Sequence, residues 1–260
     1  MNTSAEKYPV LDVIALSKSF GGIRALDEVT FGLDEGSIIS MIGPNGAGKT
    51  TLINVVTGIY PSLGGEVYFQ GQNITGHSAH AIAGLGIART FQFVELFPSL
   101  TVLENVMVGC HPGSRAGMFL VGLQLPSARA EEERIKDEAM GNLKMVGLEH
   151  RAYDSITNLP LGERKLVGIA RALSMKPKLL MLDEPVGGLA AHEINKLVEL
   201  IHHLSDEGLT ILIVEHNMPF VMSISERVVV LDQGRKIAEG SPDVVKSNAA
   251  VIKAYLGEEA

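Results

Sequence analysis

Residues 37–56, "SIISMIGPNGAGKTTLINVV", constrain the fold more than any other stretch of the chain. An apolar run that suits a buried strand leads into Gly43-Pro44-Asn45-Gly46-Ala47-Gly48-Lys49-Thr50-Thr51, and an apolar helix follows that should stop at Gly58. Glycines in such a turn let successive backbone N–H groups face inward, and the helix N-terminus adds its positive end. The product is a cradle for phosphates. Lys49 is placed to bridge the β- and γ-phosphates of a nucleotide, and the Thr50 hydroxyl to bind Mg²⁺. Gly43, Gly46 and Gly48 do not make G-x-G-x-x-G, so the spacing is not that of a dinucleotide site.

A phosphate loop needs a sheet beneath it, and the rest of the chain supplies one. "KLLMLDEP" and "TILIVEH" are near-continuous apolar runs, separated by a helix with Ile194, Leu197, Val198, Ile201 and Leu204 on one face. Strand, helix, strand with fully apolar strands predicts a parallel sheet covered on both sides. "RVVVLDQG" and "KIAEG" add strands. Before the loop, "DVIAL" and "VTFGL", punctuated by "FGG", "LDE" and "DEG", read as antiparallel strands, and "GGEVYFQG" as another. From about Thr101 to Leu173 strand signals are sparse. Ile135, Ala139, Leu143 and Val146 form one helical stripe with Gly147 as its stop; Leu166, Ile169, Ala170 and Leu173 form a second, closed by Pro177. The segment "HPGSRAGMFLVGLQLPSA" between them is assigned to no element. The expectation is a single α/β domain interrupted by a helical insertion.

Composition narrows the partners. With 46% hydrophobic and 20% charged residues the chain is globular rather than disordered. A net charge of −8 argues against nucleic acid as the main partner while leaving room for a local phosphate site. The one cysteine, Cys110, excludes an internal disulfide framework and suits a reducing compartment. The N-terminus does not read as a secretion signal, and no apolar run reaches the about 18 residues of a membrane span. A cytosolic protein is expected, with any membrane connection made through a partner.

Three further stretches carry chemistry. In "KLLMLDEP" an apolar strand delivers an acid pair to its carboxyl end, where open α/β sheets bind ligands. Asp183 is placed to hold Mg²⁺, directly or through water, and Glu184 to orient and deprotonate an attacking water. "TILIVEHNM" puts His216 at the end of the next strand, level with Glu184, where it could bond the γ-phosphate. "ARTFQ" places Gln92 where the helical insertion begins; its amide could bind both Mg²⁺ and water. The other histidines lack the companions of a metal site, and no structural metal is expected. In "NLPLGERKLVGIAR", Gly162 taken alone reads first as a turn into a helix, with a phosphate contact as the alternative that the rest of the chain must decide.

The ordered set "GPNGAGKTT", "TFQ", "LPLGE", "LLMLDEP" and "VEHNM" resembles the ATP-binding cassette (ABC) ATPases over nearly the whole chain. The resemblance implies a P-loop NTPase (RecA-like) core, an N-terminal antiparallel β-subdomain, and a helical subdomain inserted at approximately 93–165 of a single 1–260 nucleotide-binding domain. It implies ATP and Mg²⁺ as ligands, with Thr50, Gln92 and Asp183 toward the metal and Glu184, His216 and Gln92 catalytic. Phe20 matches the adenine-stacking aromatic; stacking discriminates bases little, so GTP can substitute. Leu159, Gly162 and Glu163 fall on the signature that meets the nucleotide of an opposite subunit. Against the usual Leu-Ser-Gly-Gly-Gln, Pro160 replaces the serine, Leu161 a glycine and Glu163 the glutamine. Ala190 stands where Asp or Asn is usual, so the half-site offered to a partner looks weakened.

"GIARTFQFVELFPSLTVLENVMVG", "NLPLGERKLVGIARAL" and the ending "LDQGRKIAEGSPDVVKSNAAVIKAYLGEEA" are similar to the ATP-binding subunits of branched-chain amino-acid importers, with Asn217 in place of an acid usual in that group. Importers of urea, amides and aromatic acids are related alternatives, and an exporter or a non-transport ABC ATPase are more distant ones. The resemblance implies membrane permease subunits, a second ATPase subunit in a paralogue heterodimer, a periplasmic binding protein indirectly, no nucleic acid, and a peripheral place on the cytoplasmic face of the inner membrane.

Overall fold

A computed structural model describes residues 9–91, 95–113 and 126–256. The chain opens with two long strands, β1 (Leu11–Phe20) and β2 (Ile23–Leu33), followed by β3 (Ile38–Ile42), helix α1 (Lys49–Val56), β4 (Gly64–Phe69) and β5 (Gln72–Asn73). Next come α2 (Ala79–Leu85), β6 (Ile87–Arg89), α3 (Val102–Met107), α4 (Pro126–Met145) and α5 (Leu161–Leu173). The C-terminal part holds β7 (Leu179–Asp183), α6 (Ala191–Asp206), β8 (Thr210–Val214), α7 (Met218–Ile224), β9 (Arg227–Asp232), β10 (Arg235–Gly240), α8 (Pro242–Lys246) and α9 (Ala249–Leu256).

Two sheets result. The larger has the order β10-β9-β3-β8-β7-β6, parallel except for the β10–β9 hairpin. Its central strands are mostly apolar because both faces are covered, and successive side chains point to opposite sides. Ile39 and Met41, Met181, Leu212 and Val214, and Val229 and Leu231 face one core, shared with α1 and the smaller sheet. Ile38 and Ile42, Leu180 and Leu182, Ile211 and Ile213, and Val228 and Val230 face the other, built by the later helices. The four expected residues of the α4 stripe are all buried, Ala139, Leu143 and Val146 of them in this core, and Gly147 follows the helix end in a left-handed conformation at φ 73°. Of the α5 stripe, Leu166 is only half-buried while Ile169, Ala170 and Leu173 are buried.

The smaller sheet, β2-β1-β4-β5, is antiparallel as expected, with one correction. "LDE" does not break the chain into separate strands: β2 runs straight through it. Glu28 takes φ 53° and Ala15 on the facing strand φ 47°, and the pairing register shifts around both. These are bulges, stabilised by the Ser17 hydroxyl accepting from Glu28 N at 3.0 Å and the Thr30 hydroxyl accepting from Ala15 N at 2.8 Å. A bulge bends a strand without ending it, so the turn-like composition misled.

The β1–β2 hairpin and the β9–β10 hairpin meet behind the loop that follows β3. Gly234 N donates to Ala47 O at 3.0 Å and Asp27 N to Gly234 O at 2.8 Å, so both hairpins brace the glycine-rich turn. Among the described residues no helix is long and apolar enough to cross a membrane.

Cys110 is buried in a 3-10 turn over Val108–Gly113, and burial pushes its thiol above the ordinary range despite a hydrogen bond from the Ser174 side that opposes the shift. The folded chain then disfavours the thiolate, so this contribution to stability is intact at neutral pH and declines as pH rises past the unfolded thiol's value of about 8.5. At pH 8 a disulfide reagent should titrate the native protein far more slowly than the urea-unfolded chain; equal rates would mean that Cys110 is open to solvent.

Candidate functional site

Four neighbouring strands, in the spatial order β3, β8, β7, β6, end on the same side of the large sheet. The glycine-rich loop follows β3, Glu215 and His216 follow β8, Asp183 ends β7 with Glu184 next, and Arg89 ends β6. The register places Asp183 opposite Val214 and Arg89 opposite Met181. The carboxyl ends of parallel strands are where α/β sheets place ligands.

The loop has the backbone that only its glycines permit. Gly43 sits at φ 153°, where a side chain would collide with the Leu231 carbonyl; Gly48 sits at φ 102°, where one would meet the Ala25 carbonyl. The chain therefore curls tightly into α1, with Ala47 N donating to Pro44 O at 3.1 Å inside the turn. Lys49 is buried, and its Nζ donates to the carbonyls of Gly43 at 2.6 Å and Pro44 at 2.9 Å. Thr50 is exposed at the start of the helix. Pro44, Asn45, Gly46 and Ala47 also line a cleft of about 490 Å³ against Asp232, Gln233 and Lys253.

Asp183 is buried, and its Oδ2 accepts from Arg89 Nη2 at 2.7 Å. Arg89 also donates to Asn54 of α1 and lies 4.7 Å from the Phe91 ring centroid. Glu184 takes φ 47°, a left-handed conformation that costs a non-glycine residue about 1–3 kcal/mol and concentrates at functional sites. Its Oε1 lies 3.5 Å from His216 Nδ1. Acid and imidazole thus form a contact pair at the ends of adjacent strands. Asn217 caps α7, its side chain accepting from Phe220 N at 3.1 Å. Asparagine and aspartate cap helices about equally well, so replacing the acid leaves this local role intact.

Phe20, half-exposed at the tip of the β1–β2 hairpin, meets Tyr60 edge-to-face with ring centroids 5.3 Å apart, and Lys18 Nζ stands 5.0 Å above the Phe20 ring. Leu159 is buried. Gly162 is buried in the first turn of α5, and a side chain there would collide with the Glu193 carboxylate. Glu163 lies 3.5 Å from Arg151. Pro160 stands at the N-cap of α5 and Ala190 at that of α6, and neither offers a side-chain oxygen to the helix N–H groups. Gln92 lies outside the described residues.

Several members of this arrangement escaped the sequence reading: Arg89, Tyr60, Glu193, Lys165 and Glu215. Arg89 carried a signal, a charge ending the apolar strand "GIAR". The oxygen donors Thr50 and Asp183 fit the chemistry of magnesium, which takes one or two protein oxygens and completes its shell with phosphates and water. No cluster of three or more His, Cys, Asp or Glu able to hold a metal by itself occurs among the described residues.

This site on this sheet defines a nucleotide-binding protein of the phosphate-loop class. A family profile described as ABC transporter matches residues 26–187, and one described as branched-chain amino acid ATP-binding cassette transporter matches residues 235–260. The chain is 41% identical over 251 residues, 96% of its length and 98% of the relative's, to the high-affinity branched-chain amino acid transport ATP-binding protein LivG of Escherichia coli. It is similar to the crystal structure of the ADP conformation of MJ1267, an ATP-binding cassette of an ABC transporter, with TM-score 0.82, 33% identity and coverage of 95% and 98% of the two chains. It also resembles the dimeric structure of MJ0796, a bacterial ABC transporter cassette, with TM-score 0.77, 28% identity and coverage of 89% and 98%. The chain belongs to the ATP-binding cassette proteins of the ABC transporter family.

The buried pair generates a prediction. Arg89 and Asp183 have side chains only 7% and 5% exposed, and removing one partner of such a pair typically costs about 3–5 kcal/mol. Arg89→Met should lose about that much stability in urea denaturation, and Arg89→Met combined with Asp183→Asn should recover a large part. Additive losses in the double variant would mean that the pair carries no coupling.

Proposed function

We propose that this chain is the ATP-hydrolysing subunit of an importer for branched-chain or closely related amino acids, working with membrane permease subunits at the cytoplasmic face of the inner membrane. The observation that carries the reading is the meeting, at four adjacent strand ends, of a phosphate cradle, a buried acid and a Glu184–His216 pair. The likeness to LivG supports the cargo class.

In this reading the loop 43–51 wraps the phosphates with its N–H groups. Lys49, whose ammonium is shared between the carbonyls of Gly43 and Pro44, turns toward the β- and γ-phosphates. Thr50, Asp183 and Gln92 would hold Mg²⁺, which when bound would supply charge neutralisation along the phosphate chain. Glu184 takes the proton of the attacking water, and His216 holds that water against the γ-phosphate. Phe20 stacks on the adenine, its ring steadied by Tyr60 and Lys18. Segment 93–165 forms the inserted helical subdomain that meets the permeases, with α5 continuing beyond it into the core.

Two cassettes closing on two nucleotides would place Leu159, Gly162 and Glu163 of one against the γ-phosphate of the other. Two features support a weakened half-site here. Pro160 supplies no hydroxyl, a bond to charge typically worth about 1.5–3 kcal/mol. The Glu193 carboxylate, packed on Gly162, places a negative charge at the helix end that would receive the phosphate. The working dimer is therefore a heterodimer with a paralogue carrying a fuller signature, and a periplasmic binding protein delivers cargo from the far side.

Glu184→Gln should keep ATP binding while losing about 100-fold or more in turnover, measured by phosphate release. Near-normal turnover would remove Glu184 as the base. In cells, deleting the gene should abolish uptake of labelled leucine; unchanged leucine uptake with loss of urea or aromatic-acid uptake would move the chain to a related importer. Homodimers of the isolated protein that hydrolyse ATP as fast as the assembled complex would overturn the heterodimer.

A further inference from the structure

Glu184 holds a conformation that its own chemistry does not favour, so something outside it must fix the backbone. Three contacts do so. Glu184 N donates to Val214 O at 2.8 Å. The carbonyls on the other side are held by a side chain from a different element: Lys165 Nζ, in the second turn of α5, donates to Glu184 O at 2.9 Å and to Pro185 O at 3.2 Å. One residue further on, Val186 N donates to Glu215 Oε1 at 3.1 Å.

Glu215 reaches in two directions. While Oε1 takes Val186 N, Oε2 accepts from the backbone N–H of His216 at 2.8 Å and of Asn217 at 3.1 Å. A single carboxylate thus ties the loop after β7 to the loop after β8. It is fully buried, and Lys165 is 9% exposed. Burial pulls the Lys165 ammonium toward its neutral form, while the Glu215 and Glu184 carboxylates oppose the shift. Charged groups out of water are retained cheaply only when every donor and acceptor is engaged. A packed apolar pair would serve stability as well. It could not hold two carbonyls and three N–H groups of the backbone that carries Glu184 and His216, whose side chains meet at 3.5 Å.

We propose that Lys165 and Glu215 are positioning residues that hold the Glu184–His216 pair in register for hydrolysis, with Lys165 linking that pair to the helix that begins at the signature. The inference rests on the reading of Glu184 as the base. Neither residue touches nucleotide; both act through the backbone of residues that do. A displacement of about 1 Å at a reacting group costs about 100-fold in rate. Because Lys165 lies three residues beyond Gly162, a shift of the first turns of α5 is delivered directly to the Glu184 carbonyl.

The test is a split between binding and turnover in the full-length protein assembled with its transporter partners. Lys165→Met keeps length and removes the donors; Glu215→Gln keeps shape and turns an amide NH₂ toward backbone N–H groups. Each should lower kcat by about 10- to 100-fold while the ATP dissociation constant stays within about twofold. Lys165→Gln, which can still donate to one carbonyl, should recover part of the loss, and it decides the matter if Lys165→Met does not fold. The double variant should be no slower than the slower single, because the two act as a unit. Folded variants at wild-type kcat, or a kcat loss matched by a loss of ATP affinity, would overturn the proposal. Glu184→Gln run alongside separates the two levels: an active Glu184→Gln means that the base was misassigned, whereas an inactive one beside a fully active Lys165→Met means that only the positioning role fails.

Discussion

The structure depends on the parallel register of four strands. Neighbouring strands lie about 4.8 Å apart, so β3, β8, β7 and β6 deliver the phosphate loop, His216, the Asp183–Glu184 pair and Arg89 as a row of adjacent groups. That register is held by apolar side chains on both faces of the sheet, and a slip by one residue would turn each of them to the opposite core. The site is precise because the sheet beneath it has no tolerance.

Charges in this row divide into two kinds. Lys165 and Glu215 are spent on backbone atoms, and Arg89 on Asp183 and Asn54. They are committed to the protein itself. Glu184 is of the second kind, its carboxylate beside the His216 imidazole at the strand ends, while Lys49 lies between the two, buried with its ammonium held by the carbonyls of Gly43 and Pro44. A buried ion costs several kcal/mol unless it is paired, so the committed charges are also the ones whose loss would be felt in folding. Asp183 belongs to both sets, since its carboxylate is paired in the protein and faces the site.

The start of α5 repeats this logic with a different outcome. A helix N-terminus attracts anions, and here the chain supplies its own: Glu163 in the first turn and the Glu193 carboxylate packed on Gly162. With Pro160 as the cap there is no hydroxyl to compensate. The question raised by Gly162, helix start or phosphate contact, therefore gains a third answer within the chain. Its missing side chain makes room for Glu193.

Much of this was legible in the sequence. The phosphate loop, the acid pair and the histidine at their strand ends, and the helical stripes follow from local spacing, since side-chain direction repeats every two residues along a strand and every 3.6 along a helix. The β2 bulge was not legible, because "LDE" has turn composition and only cross-strand pairing decides whether the chain bends or ends. Arg89, Lys165 and Glu215 were not legible as partners either: they reach Asp183, Glu184 and Val186 across 94, 19 and 29 residues. The sequence alone determined which elements form and which chemical groups stand at their ends. Only the tertiary structure decided which of those groups share a buried neighbour, because the cost of leaving a charge unpaired depends on what packing brings beside it, and no local spacing encodes that.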